Sequence, residues 1–325
     1  MYKCKVMGAV LIAALLGIVM TACSAPEQKN QKLTLVLDWT PNTNHTGFYA
    51  AKDLGYYNEE GLEVEIIQPP EDGALSLVAA KKADFAISFQ EPLLLATNTA
   101  DPLPVAAVAA LVEHNTGGIL SLKEKGITRF RDMEGKTYGS WETPIYDEIV
   151  RDCIRLDGGN PDLVQFVPNA VTDNISGISR EFDTVWVYEG WDGVIANIKG
   201  VETNFFFFRD INPVFDYYSP ILVTNQDMID NHSDTLKAFL RATEKGYAYA
   251  KENPDEAADI LSAYAPEVDK AILLASQRYL SEAYYDTQWG VIEPERWNAF
   301  FEWMKSKALL PSDASHSAFV QVDYR

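Results

Sequence analysis

Cysteine is nearly absent from this chain, with three residues in 325, at positions 4, 23 and 153. So few thiols exclude a cysteine-rich metal or cluster site. Basic residues are also short, 27 Lys and Arg against 47 Asp and Glu, which leaves a net charge of −20. A surface this acidic excludes nucleic acid as a partner, because phosphate binding needs a basic face. It excludes a polybasic membrane patch on the same ground. The acidity favours solubility and by itself says nothing about the charge of a ligand. No glycine-rich phosphate loop, His-Glu-x-x-His pair or nucleophile elbow occurs, so the commonest sequence signatures of enzymes are missing.

Long apolar runs are missing too, apart from residues 6–20. That run follows Lys3 and Lys5, has the length of a signal-peptide core, and is too short to be read as a membrane span. It ends in Met20-Thr21-Ala22-Cys23-Ser24, which resembles a bacterial lipobox. Such a motif implies cleavage after residue 22 and lipid on Cys23. The expected organisation is a signal peptide at 1–22, a polar tether at 23–31 and a folded remainder long enough for two domains. Cys4 would leave with the signal and Cys23 would carry lipid. Only Cys153 would then remain as a thiol, and no intramolecular disulfide is available.

The folded part opens with alternating strand and helix signals. Residues 33–37 form a short apolar run of strand formers. Residues 48–54 read as a helix stopped by Gly55, 62–67 as a strand, 74–82 as a helix and 85–88 as a strand. This order implies a parallel sheet covered by helices. Further strands are expected at 105–111, 119–122, 137–139, 164–167 and 183–188, with a helix at 145–156. The phenylalanine run 205–208 reads as a buried strand. Beyond Ser233 long helices dominate. Leu236, Phe239, Leu240, Thr243, Gly246, Tyr247 and Ala250 recur at helical spacing on one face.

The segment beginning at Asp38, Trp39, Pro41 and His45 resembles the D/N-W-x-P-x-x-x-H opening of a family of periplasmic-type binding proteins. The Gly-Tyr-Tyr stretch at 55–62 and Ala-Asp-Phe-Ala-Ile at 83–87 extend the likeness over nearly all of the mature chain. The family includes formylaminopyrimidine-binding proteins of thiamin-precursor import and riboflavin-binding relatives. More distant members bind alkanesulfonates and nitrate, and fungal hydroxymethylpyrimidine synthases share the fold. The resemblance implies an α/β, two-lobed fold of type II-like organisation, each lobe a mainly parallel sheet flanked by helices, joined by a two-strand hinge. Lobe one would hold 32–119 and 224–325, and lobe two 120–223. It further implies an extracytoplasmic binder, tied to the membrane by lipid alone, that delivers a pyrimidine-like ligand to an ABC permease and ATPase complex, with no cofactor.

In open α/β sheets ligands bind beyond the carboxyl ends of strands, and the candidate residues were sought there. Asp38, Trp39, Asn42 and His45 follow the first strand and Glu91 the third. Trp141 and Thr143 follow a later strand and open a helix with free amide donors. Tyr188, Glu189, Trp191 and Asp192 follow another, and Tyr218 precedes the return to lobe one. A flat heterocycle needs aromatic faces to stack on and a carboxylate to accept from its amino group, and this set offers both. No arginine stands among the candidates, which disfavours a sulfonate or nitrate, while riboflavin stays open. The synthases carry a cysteine cluster where this chain has Val214-Phe215-Asp216-Tyr217-Tyr218, and a cofactor-holding lysine where it has Lys82. With no cysteine there, the synthase activity is not expected.

Overall fold

The computed structural model describes residues 30–70, 73–171, 173–285, 288–315 and 317–325. The expected leader and Cys23 lie outside them. Among the described residues no helix is long and apolar enough to cross a membrane.

The chain first lays down β1 (Gln31–Val36), β2 (Leu62–Ile67), β3 (Phe85–Ser88) and β4 (Val105–Ala110). It then forms β5 (Gly117–Leu122), β6 (Thr137–Ser140), β7 (Gln165–Pro168), β8 (Thr184–Tyr188) and β9 (Thr203–Phe207), and last β10 (Ile221–Asn225). Two five-stranded sheets result, in the orders β2-β1-β3-β10-β4 and β7-β6-β8-β5-β9. β1 pairs parallel with β2 and β3, and β6 with β7 and β8. β10 runs antiparallel to both its neighbours, and so does β5. Each sheet is therefore mixed, with one reversed strand. The reversal has a simple cause. β5 and β10 are the first strands after the chain changes sheet, so they start where the others end.

The changes of sheet fall at residues 111–116 and 208–220. The expected boundary at 119/120 cuts through β5, and the one at 223/224 through β10, so both connections lie earlier in the chain. β1 also takes in Gln31, the last residue of the expected tether. The two connections are tied to each other by Asp216, whose carboxylate accepts from the Asn115 amide at 2.8 Å and lies 2.6 Å from His114 Nδ1. The Arg296 guanidinium meets the same carboxylate at 3.2 Å.

In the first lobe the Ser233–Glu252 helix buries the face read from its spacing, Leu236, Phe239, Leu240, Thr243, Gly246, Tyr247 and Ala250. Each large side chain in such a face contributes roughly 1.5–3 kcal/mol of burial. Phe239 stacks on Phe85 at 3.9 Å between centroids. Gly246 lies against the Gly47 carbonyl of the Thr46–Asp53 helix, where a Cβ would come within 2.0 Å of that oxygen. The Pro294–Ser306 helix runs along the returning connection. Its Trp297, Phe300 and Trp303 meet Tyr218, Tyr217 and Phe215 in turn. At its far end Trp303 donates to Asp152, 2.9 Å away on the Pro144–Leu156 helix of the other lobe.

The phenylalanine run does form a strand, but β9 is an edge strand and its residues are half-buried; only Phe208, beyond it, is fully enclosed. Arg209 covers the outer ring, with its guanidinium 4.0 Å above Phe207.

Candidate functional site

The carboxyl ends of β1 and β3 face those of β6 and β8 across the gap between lobes. A crevice of about 220 Å³, open to solvent, lies there. Asn42, Thr43 and Asn44 line it from one lobe, Tyr188 and Trp191 from the other, and Thr116 from the first connection.

On the first lobe, Asn42 caps a 3-10 turn at Thr43–His45, its side chain accepting from the Asn44 amide. His45 is wholly buried within this loop. Its Nδ1 accepts from the Asn42 amide at 3.2 Å, so the proton sits on Nε2, which donates to Asp38 at 2.6 Å. The ring is thus the neutral tautomer, with both nitrogens used. It orients Asp38 and has no atom left for a ligand, contrary to the contact expected of it. Trp39 is 54% exposed.

On the second lobe, Tyr188 ends β8 and the next five residues, Glu189–Gly193, form a single π-helical turn. Such turns interrupt regular packing and recur at functional sites. This one turns Trp191 across the gap, where its ring meets Trp39 edge to face at 6.4 Å and packs on the first lobe's core. Glu189 donates its backbone amide to the Thr116 carbonyl at 3.0 Å, while its Oε2 is buried without a partner. Burial, with Asp192 nearby, pushes its carboxyl up to about 7. Burial also raises Asp192 to about 6, although Asn174 donates to it at 3.0 Å.

Glu91 comes from the first turn of a helix, Gln90–Thr97, which follows β3 and is not among the elements expected from the sequence. It is 1% exposed. Tyr217 donates to one of its oxygens at 3.3 Å and the other oxygen has no partner. Burial pushes this carboxyl up to about 7 against hydrogen bonds that include the hydroxyls of Tyr146 and Tyr217. The Tyr188 phenol is raised by its burial first and then by the charge of Glu91, with Asp38 and Asp192 adding to it. Asp38, Glu91, Tyr188 and Asp192 therefore share one neighbourhood.

Three expected residues sit elsewhere. Trp141 is 43% exposed and meets no other ring among the described residues. Thr143 Oγ1 turns back to the Trp141 carbonyl at 3.3 Å. Tyr218 is buried in the returning connection, its hydroxyl accepting from the Glu293 amide at 2.8 Å and its ring between Trp297 and Arg296. Its neighbour Tyr217 is the tyrosine that reaches the acidic cluster. Thr116, with His114 and Asn115, stands at the first crossing, where the sequence suggests a hinge or rim role as readily as contact, and it lines the crevice. Tyr146 was not singled out, because it sits inside an ordinary amphipathic helix pattern that carries no local signal. Lys82 is exposed before β3, at the opposite end of that strand from Glu91. Among the described residues no group of His, Cys, Asp and Glu is placed to hold a metal ion.

Two mixed sheets, each with one reversed strand, and a crevice at their facing carboxyl ends define the periplasmic binding protein fold. The solved aliphatic sulphonate binding protein SsuA of Escherichia coli superimposes with a TM-score of 0.71 at 11% identity, covering 91% of this chain and 94% of that one. The chain belongs to the NMT1/THI5-like family, whose model matches residues 42–257. The formylaminopyrimidine-binding protein of Halalkalibacterium halodurans is 29% identical over 79% of this chain and 78% of its own length. A 4-amino-5-hydroxymethyl-2-methylpyrimidine phosphate synthase of Legionella pneumophila is 26% identical over 73% of this chain and 75% of its own. The relatives of this chain thus include both a binder and a synthase.

Proposed function

We propose that this protein captures a thiamin-related aminopyrimidine in the crevice between its lobes and presents it to an ATP-driven importer. The observation that carries the reading is the Glu189 carboxyl, one oxygen of it buried and unpartnered, which lies between Tyr188 and Trp191 in the chain, the two aromatics that line the crevice. An aminopyrimidine offers an amino N–H next to a ring nitrogen. A carboxyl group that shares one proton with that ring pairs with both atoms at once. A group titrating near 7 has that proton to share at neutral pH, whether it resides on the acid or on the ring. The rings supply the stacking faces, worth about 0.5–1.5 kcal/mol each beyond buried area.

The formylaminopyrimidine binder from H. halodurans makes formylaminopyrimidine the first candidate. Export, a lipid on Cys23 and a permease and ATPase complex as partner belong to the same proposal, supported by the lipobox-like motif and the binding-protein fold. The synthase reading draws no support from this chain's residues. The 214–218 stretch has no cysteine, and Lys82 faces solvent away from the crevice. Calorimetric titration with formylaminopyrimidine, hydroxymethylpyrimidine, thiamin, riboflavin and taurine tests the assignment. Micromolar or tighter binding of a pyrimidine is expected, equivalent to about −8 kcal/mol. Binding of taurine or riboflavin alone would contradict it.

A further inference from the structure

One carboxyl suffices to read the edge of an aminopyrimidine, yet more of them surround Tyr188, a wall of the crevice. Asp192 lies three residues from Glu189 on the same π-helical turn, and its carboxylate accepts from the Asn174 side-chain amide at 3.0 Å. Glu91 approaches from the other lobe, almost fully buried, with one oxygen unpartnered. Asp38 receives a proton donor from His45, but that ring is neutral, so the pair keeps its negative charge. Among the described residues, none of the hydrogen bonds and ion pairs that Glu91, Glu189 and Asp192 make is with a lysine, arginine or histidine.

The cations that come nearest are occupied elsewhere. Arg209 is spent on the Asn115 carbonyl and the Tyr284 hydroxyl. Arg296 and His114 are spent on Asp216. Buried carboxyls without a counter-charge are costly, and natural sites resolve that by protonation or by a cation. A cation supplied by the ligand would relieve several of these groups at once.

We infer that the crevice selects an aminopyrimidine that carries its own positive charge, such as one with a protonated aminomethyl substituent, the ring edge held by Glu189 and the ammonium by Glu91 with Asp38 or Asp192. This rests on the aminopyrimidine reading above and, within that class, puts the free amine ahead of the formylated compound. A neutral formylated ligand would use the same groups differently, as protonated acids donating to its carbonyl.

The two modes move protons in opposite directions. In the empty protein the surroundings of Glu91 are the phenols of Tyr146, Tyr188 and Tyr217. Those of Glu189 are Asp192 and Tyr279, and those of Asp192 are Tyr188, Asp173 and Asn174. Burial pushes the Glu91 and Glu189 carboxyls up to about 7, so both can carry a proton at neutral pH. An ammonium arriving beside them lowers their pKa and expels protons. A neutral carbonyl acceptor holds the protons in place or draws more in.

The test is calorimetry at pH 7 with the aminomethyl, hydroxymethyl and formylaminomethyl pyrimidines, each in two buffers of different ionisation enthalpy. The aminomethyl compound is expected to bind at least tenfold more tightly than the hydroxymethyl one, with net proton release. Glu91→Gln keeps the shape of the side chain and removes its charge, and should cut that preference severalfold. Equal or tighter binding of the formyl or hydroxymethyl compound, or proton uptake with the amine, overturns the charge inference and leaves the aminopyrimidine reading intact. Failure of all three to bind overturns that reading instead.

Discussion

Gly193→Ala is expected to weaken ligand binding without replacing any ligand-facing residue. Gly193 has φ −62° and ψ −43°, ordinary helical values that alanine adopts freely. Alanine at such a position favours a helix by up to about 1 kcal/mol over glycine. Its Cβ, however, would lie 2.1 Å from Glu189 Oε2 and 2.4 Å from Cδ. Nonbonded carbon and oxygen atoms do not approach so closely, so one of them must move by about 1 Å. The carboxylate, at the end of a flexible side chain, is the group that yields. A charge-assisted pairing so displaced forfeits about 1.5–3 kcal/mol, which is about 10- to 150-fold in Kd. Calorimetry with the best-binding pyrimidine reads the affinity, and thermal melting reads the fold. The reasoning predicts weakened binding with a melting temperature unchanged or raised. Affinity within twofold of the parent, in a protein that melts normally, would show that Glu189 does not hold the ligand.

Other perturbations probe the frame around the crevice. Asp152 bridges the lobes through Trp303 and Lys307. Burial acts to raise its carboxyl, but those two partners outweigh it and hold it below the usual range. Asp152→Ala should therefore cost about 2–3 kcal/mol in urea unfolding at pH 7. The difference from the parent should shrink as pH falls below about 4, since a depressed acid stabilises above its unfolded pKa and loses that contribution on protonation; a constant difference would contradict the ion-pair account. Glu91 and Glu189 are raised instead, to about 7, so between about 4.3 and 7 the folded protein binds more protons than the unfolded chain. The ligand-free protein should thus lose stability from these groups as pH rises through that window, and Glu91→Gln should flatten the melting curve against pH there; identical slopes would speak against it. Gly246→Ala would press a methyl to within 2.0 Å of the Gly47 carbonyl, a backbone atom unable to swing aside. A loss of about 1–3 kcal/mol or more follows from overpacking, and an unchanged melting temperature would refute the close helix crossing.

Much of the frame was legible because it rests on local patterns. β2 and β3 fall at the residues their apolar spacing marks, and the long helix after Ser233 buries the face read from its period. The start of β5 was missed because Gly117 and Gly118 carry no side chain to show a pattern. Gly118 is glycine because a Cβ would strike the Phe205 ring at 2.3 Å and the Phe206 carbonyl at 2.5 Å, a constraint imposed by a strand nearly ninety residues away.

The acidic and aromatic candidates at 188–192 could be named because they follow an apolar strand end, where ligand sites concentrate. Their individual roles depended on contacts that sequence does not record. His45 reads as a ligand group until both its nitrogens are seen bonded within its loop. Tyr217 and Tyr218 are indistinguishable as letters, yet one reaches Glu91 and the other is sealed under Trp297. The π-helical turn that aims Trp191 at Trp39 has no local signature at all.

The most direct measurement is a crystal structure of the protein with the pyrimidine that calorimetry ranks first. The account predicts a ring lying between the lobes against Tyr188 and the paired indoles, its amino group within about 3 Å of a Glu189 oxygen. A ring bound anywhere else, or one in the crevice with Glu189 turned away from it, would contradict the account.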